Sequence, residues 1–257
     1  MDLEHLRVAR PEDGVVELVI DRPEKMNALT VRMRQQIGAL FAAWAEDPEV
    51  RAVIVRGEGE RAFSAGGDVA EFLELSPHEL VAWGESLGAP ERFPGAVIAA
   101  IDGYCLGAGL ELALACDFRI ATTRAEFGLP EIRLGMMPGS GGTQRILRAV
   151  GMARAKAMLL TGRRLSAAEA EQWGIVSSVV QPDLLLPTAY RLAREVRGLS
   201  PLAFRVLKDT LHHGLDAPLG AAIELERRAY SYLCGTEDYR EGVRAFLEKR
   251  APEFRGR

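Results

Sequence analysis

Cysteine and histidine are scarce in this chain, and its basic residues do not outnumber its acidic ones. The three cysteines, Cys105, Cys116 and Cys234, are odd in number, widely spaced and form no CxxC pair. Buried free thiols in a reducing compartment are therefore expected. No clustered histidines complete a zinc-ligand set, so no metal is expected. A net charge of −4 lacks the basic excess of a nucleic-acid groove, which removes nucleic acid as a main partner. No run approaches the ~18 apolar residues of a membrane span, and the start, MDLEHLRVARPEDG, has acids where a signal or transit sequence would be apolar or basic. A cytoplasmic globular protein is expected. Its 257 residues, 48% hydrophobic, suffice for one large core and a helical extension.

Uniformly apolar or alternating runs at Val15–Ile20, Ala52–Arg56, Val97–Ile101 and Phe118–Ala121 predict short strands, the later ones buried on both faces. Thr30 is a fair N-cap for a helix running to about Trp44, and Asp47-Pro48 marks its end. Strand and helix alternate, which predicts an α/β core. After Gly141 the pattern becomes helical, near Gly142–Val150, Met152–Leu160, Ala167–Gln172, Asp183–Arg197, Pro201–His213, Ala217–Cys234 and Glu237–Lys249, interrupted by an apolar run at Ile175–Val180. Phe204, Leu207, Leu211, Ile223, Leu225 and Phe246 give these helices more apolar surface than a monomeric cap needs. The segment Ser76–Pro94, with three prolines and two glycines, is expected to be a mobile loop of the kind that lids a site.

Three segments carry chemistry. Ala62-Phe63-Ser64-Ala65-Gly66-Gly67-Asp68 follows a predicted strand, and its small residues let backbone come close to a ligand. Ile101-Asp102-Gly103-Tyr104-Cys105-Leu106-Gly107-Ala108-Gly109-Leu110-Glu111 bends at glycines into the apolar helix start Leu112–Ala115, aiming unpaired amides and a positive dipole end at whatever sits there. A dinucleotide fingerprint would need a small residue where Leu112 stands, and the Gly-Lys-Ser/Thr ending of a P-loop is nowhere in the chain. The third segment, Phe127 to Arg145, surrounds Glu131 with five glycines and two prolines. Alone, Glu111 and Glu131 are each explained as helix first-turn acids. Together with two bends that present amides, they suit an oxyanion hole with an acid and a base beside it, as a thioester passing through an enolate requires.

The blocks AFSAGGD, IDGYCLGAGLELALACD and FGLPEIRLGMMPGSGGTQR, in this order and spacing, resemble the signature of the enoyl-CoA hydratase/isomerase, or crotonase, superfamily. DRPEKMNALT and TEDYREGVRAFLEKRAPEF are similar to it as well, so the resemblance spans about Val15 to Phe254. It implies a spiral of ββα units over residues 1–195 and a helical trimerisation region over 196–257. It implies an oxyanion hole at the amides of Gly67 and Ala108, and catalytic acids at Glu111 and Glu131. Water would add to a trans-2-enoyl-CoA, Glu111 activating it and Glu131 delivering a proton to C2. The CoA would lie along Lys25, Met26, Ala28 and Ala65-Gly66-Gly67-Asp68-Val69-Ala70, with Gly139, and with Tyr230 and Lys249 contributed by a neighbouring subunit. Trp83 and Phe93 are expected to shape the acyl pocket. No cofactor is implied beyond the CoA of the substrate, and the partners implied are that substrate and further copies of the chain, as a homotrimer or a dimer of trimers. A Δ3-Δ2 enoyl-CoA isomerase is the neighbouring expectation on the same scaffold. An RNA-binding or scaffold relative without chemistry is disfavoured by both acids and the acidic charge.

Overall fold

In the computed structural model, residues 2–76, 78, 79 and 84–257 are described. The chain forms two compact units, Met1–Ala193 and Arg194–Arg257.

The first unit holds two sheets. The larger has six strands in the order β1 (Leu6–Glu12), β2 (Val15–Ile20), β3 (Ala52–Gly57), β5 (Ala96–Ile101), β7 (Phe118–Thr122) and β10 (Ser178–Val180). All its pairings are parallel except β1 with β2. Residues of β2 and β5 are buried throughout, as expected of parallel strands covered on both faces. The smaller sheet orders β4 (Ala62–Ser64), β6 (Tyr104–Leu106), β8 (Glu126–Gly128) and β9 (Arg164–Ser166), the first three parallel.

The helices of this unit follow in chain order. They are α1 (Val31–Ala45), α2 (Val69–Phe72), α3 (Ala89–Arg92), α4 (Ala108–Ala115), α5 (Gly142–Leu159), α6 (Ala167–Trp173) and α7 (Leu185–Arg197), the last crossing into the second unit. Thr30 caps α1, its side chain accepting from Met33 N at 3.1 Å, so the helix start read from the sequence is a real capping interaction. The predicted break between residues 150 and 152 falls inside α5, where Gly151 has φ 77° and ψ 166°.

The connectivity is a spiral. Each turn gives one strand to the large sheet, one to the small sheet and then a helix or helical turn: β3–β4–α2, β5–β6–α4, and β7–β8 followed by the 3-10 turn Glu131–Leu134. Because β4, β6 and β8 are adjacent and parallel, the bends that follow them sit side by side at one end of the small sheet, where ligands of open α/β folds are usually held.

The Ser76–Pro94 expectation needs correcting in its later part. Glu85–Gly88 is a 3-10 turn and Ala89–Arg92 is helical, with Leu87, Ala89 and Pro90 buried. Phe93 is 2% exposed and packs edge-on against Phe41 at 5.8 Å. It belongs to the core rather than to an acyl pocket, because apolar packing on α1 claims its ring. Pro77 and Trp83 lie outside the described residues. Of the cysteines, Cys105 and Cys116 are buried as expected, whereas Cys234 is half-buried.

The second unit contains α8 (Pro201–Leu215), α9 (Leu219–Cys234) and α10 (Glu237–Glu248). Buried Asp238 ties it together, accepting from Ser200 Oγ at 2.6 Å and from Arg255 N at 2.7 Å. Leu207, Leu211, Leu215, Leu219, Phe246 and Leu247 are exposed on these helices.

Candidate active site

The two glycine bends meet. Gly66 (φ +117°) and Gly107 (φ +51°, ψ −127°) hold backbone conformations that a side chain resists, and a Cβ on Gly107 would lie 3.5 Å from Gly66 Cα. The residue after each glycine, Gly67 or Ala108, lines a common cavity. Leu29 N donates to Gly66 O at 2.8 Å and Asp68 N donates to Leu29 O at 3.0 Å, a pairing that straddles Gly67 and leaves its own N–H outside the ladder. Ala108 is the first residue of α4, so its N–H is one of those a helix leaves without an internal partner. It is not among the residues of positive φ, so alanine is tolerated there. Gly67 and Ala108, from adjacent turns of the spiral, thus lie on the wall of one cavity.

Both glutamates join them. A cavity of about 160 Å³ is lined by Ala65, Gly66, Gly67, Gly107, Ala108, Glu111, Glu131, Gly139 and Ser140, with Arg34, Val69, Phe72, Leu134, Met136 and Met137 completing the wall. Glu111, in the first turn of α4, is 3% exposed. Its Oε1 accepts from Ser140 N at 2.7 Å and Gly142 N at 2.9 Å, which anchors the carboxylate to the backbone before α5. Glu131 opens the 3-10 turn after Pro130. A Cβ on Gly107 would lie 3.2 Å from Glu131 Oε1, placing this acid beside the second bend, while its Oε2 is buried without a hydrogen-bond partner. Burial pushes the Glu131 carboxyl up to about 7; the charge of Glu111 adds to the rise and that of Arg34 opposes it. One anchored carboxylate beside one whose pKa burial lifts toward neutrality is an arrangement suited to general acid–base chemistry.

The residues expected to follow the CoA separate into two groups. Lys25, Met26 and Ala28 run beside the first bend: Ala65 N donates to Met26 O at 2.9 Å. Asp68 caps α2 through Ala70 N and pairs with Arg22 at 2.7 Å, which holds its carboxyl below the usual range. Asp68 therefore has a structural task, and Val69 and Ala70 are exposed at the start of α2. Tyr230 and Lys249 lie in the second unit, both exposed; Lys249 is the left-handed C-cap of α10 at φ 54°.

Arg34 escaped the sequence reading. It lines the cavity at 8% exposure. The signal was a cation at the i−3 and i−7 positions from Ile37 and Phe41, on the apolar face of α1. Phe72, Met136 and Met137 were missed as wall residues because nothing in the local pattern separates them from core.

Among the described residues, no three His, Cys, Asp or Glu side chains stand together as metal ligands, and no helix is long and apolar enough to cross a membrane.

Fold and site together define an α/β spiral protein in which buried Glu111 and half-buried Glu131 share one cavity with the two glycine bends. The enoyl-CoA hydratase/isomerase family model matches residues 10–257, and the chain belongs to that family. It is 40% identical over 252 residues to the 2,3-dehydroadipyl-CoA hydratase of Escherichia coli, covering 96% of this chain and 97% of that one. To the crotonyl-CoA hydratase of Syntrophomonas wolfei it is 39% identical over 252 residues, with 96% of each covered. The crystal structure of an enoyl-CoA hydratase from Bacillus anthracis superposes with a TM-score of 0.94 at 36% identity, over 99% of this chain and all of that one. The fold is the crotonase fold.

Proposed function

We propose that the chain hydrates a trans-2-enoyl-CoA to a 3-hydroxyacyl-CoA. The observation that carries this reading is that Glu111, Glu131, Gly67 and Ala108 all line one cavity, and relatives named as hydratases support it. The thioester oxygen accepts from the amides of Gly67 and Ala108. Water held between the carboxylates adds its oxygen to C3 while Glu111 takes a water proton, and Glu131 gives its proton to C2 as the enolate collapses. The larger share of the acceleration falls to the amides, each worth about 3 kcal/mol by analogy with other oxyanion holes.

In this reading CoA is part of the substrate, and the steps use no further cofactor. It extends along Lys25, Met26, Ala28 and Ala65–Ala70, past Gly139, with Tyr230 and Lys249 supplied by a second copy of the chain. Self-assembly into trimers, alone or paired, would cover the apolar residues exposed on α8 and α10; light scattering that finds only monomer would refute it. For the chemistry, crotonyl-CoA is incubated in oxygen-labelled water while the absorbance of the conjugated thioester is followed. Label at C3 of the product supports hydration. Conversion of a 3-enoyl-CoA to the 2-enoyl isomer, with no label taken up, would replace it with isomerisation.

A further inference from the structure

We propose that Arg34 docks a carboxylate on the acyl portion of the substrate, so that the preferred thioester is a short enoyl-CoA whose chain ends in an anion. This rests on the hydratase reading above.

Arg34 enters the cavity from the first turn of α1, on the same helix face as the core residues Ile37, Phe41 and Trp44. A guanidinium on that face has lost its water, and such burial is strongly unfavourable unless an anion meets it. Among the described residues, no anion does so by contact. Arg34 Nε is buried with no hydrogen-bond partner, and no ion pair reaches the side chain from any described residue. The carboxylates that act on it through space are Glu111, Glu71 and Glu131. Glu71 Oε2 is engaged by Val31 N at 2.8 Å, and Glu111 Oε1 is held by Ser140 and Gly142. Glu131 makes no ion pair with Arg34, and its Oε2 is buried without a hydrogen-bond partner.

The guanidinium is held in place instead by packing. It lies over the Phe72 ring at 5.9 Å, and a side chain at Gly67 would collide with both its Nη2 and that ring. Arg34 therefore flanks the bend whose amide is assigned to the thioester oxygen. An anion that it grips must belong to the same small cavity, hence to a short acyl chain. Val69, Phe72, Leu134, Met136 and Met137 supply apolar wall for the methylenes between thioester and anion. A planar fork of donors matches a carboxylate bidentately, which a lysine would not.

The test compares an ω-carboxylated trans-2-enoyl-CoA with the neutral enoyl-CoA of matched length. The wild type should show the higher kcat/KM for the carboxylated substrate, and Arg34→Met should lower the ratio of the two values about 30-fold or more, as expected for truncating one partner of a buried charge pair. Arg34→Lys should restore part of the ratio. Wild-type preference for the neutral substrate, or equal losses on both substrates in Arg34→Met, overturns the proposal. A binding arm separates this inference from the hydratase reading: calorimetric titration with the saturated thioesters, carboxylated and neutral, requires no turnover. Tighter binding of the carboxylated thioester that Arg34→Met abolishes upholds the proposal even if no hydration is seen, and equal affinities in the wild type refute it even if crotonyl-CoA is hydrated.

Discussion

Glu111 Oε1 accepts the amide of Ser140 at 2.7 Å. With the second bond from Gly142, the carboxylate is fixed by backbone from a segment 29 residues further along the chain. Its orientation is therefore set before any substrate arrives, and stability and catalysis can be separated at this position by the choice of substitution.

Glu111→Gln keeps an oxygen for both amides but cannot take a proton. Hydration should fall about 10²–10⁴-fold with little change in thermal unfolding. Glu111→Ala strands two buried amides and should in addition destabilise the fold by about 1–3 kcal/mol. Equal unfolding temperatures for the two variants would show that the amide contacts contribute nothing.

The Ala108 amide can be deleted alone. Proline is accommodated at the first position of a helix, and the preceding residue, Gly107, has no Cβ to clash with the ring. Ala108→Pro should cost about 10²–10³-fold in kcat while the saturated acyl-CoA still binds, as titration calorimetry would report. Unchanged kcat would remove Ala108 from the oxyanion hole.

Gly107 is the conformational keystone of the second bend. At φ +51° and ψ −127° an alanine would be strained by about 1–3 kcal/mol, and its methyl would press toward Glu131 Oε1. Gly107→Ala should lower both the unfolding temperature and the turnover, and a variant with the wild-type melting curve would refute the strain.

The strands of the large sheet were legible because full burial demands unbroken apolar runs. Val15–Ile20 was read with the bounds the structure gives, and Ala52, Val97 and Phe118 mark their strands to within a residue. β1 was not, since LRVARPE lies at an edge with most side chains exposed. The small sheet was also missed. Its strands are three residues long and embedded in glycine-rich text, too short for any period to register. The loss mattered, because the adjacency of β4, β6 and β8 is what brings Gly67, Ala108 and Glu131 together. Glu111 and Glu131 were legible as a pair only when taken together with the two glycine bends, and the resemblance sharpened that pair to a hydratase's; each taken alone reads as a first-turn acid, and each does stand in a first turn. Arg34 was hidden because a helix reading assigns charges to the solvent face by default.

The proton inventory of the carboxylate pair predicts the pH dependence. Burial, with the charge of Glu111 adding, lifts the Glu131 carboxyl to about 7. Hydration as derived starts with a proton on Glu131, so kcat/KM should be level below that value and fall about tenfold per pH unit above it. Dehydration starts with the proton on Glu111 and Glu131 ionised, which is the same single proton placed on the other oxygen. Since the overall reaction neither takes up nor releases a proton, both directions must lose activity in parallel as pH rises. Arg34 opposes the rise, so Arg34→Met should move the alkaline limb to higher pH, whereas Glu131→Gln should abolish it. Rate profiles from pH 5 to 9 in both directions check this; activity that climbs through 7 in either direction would reassign Glu131 from acid to base.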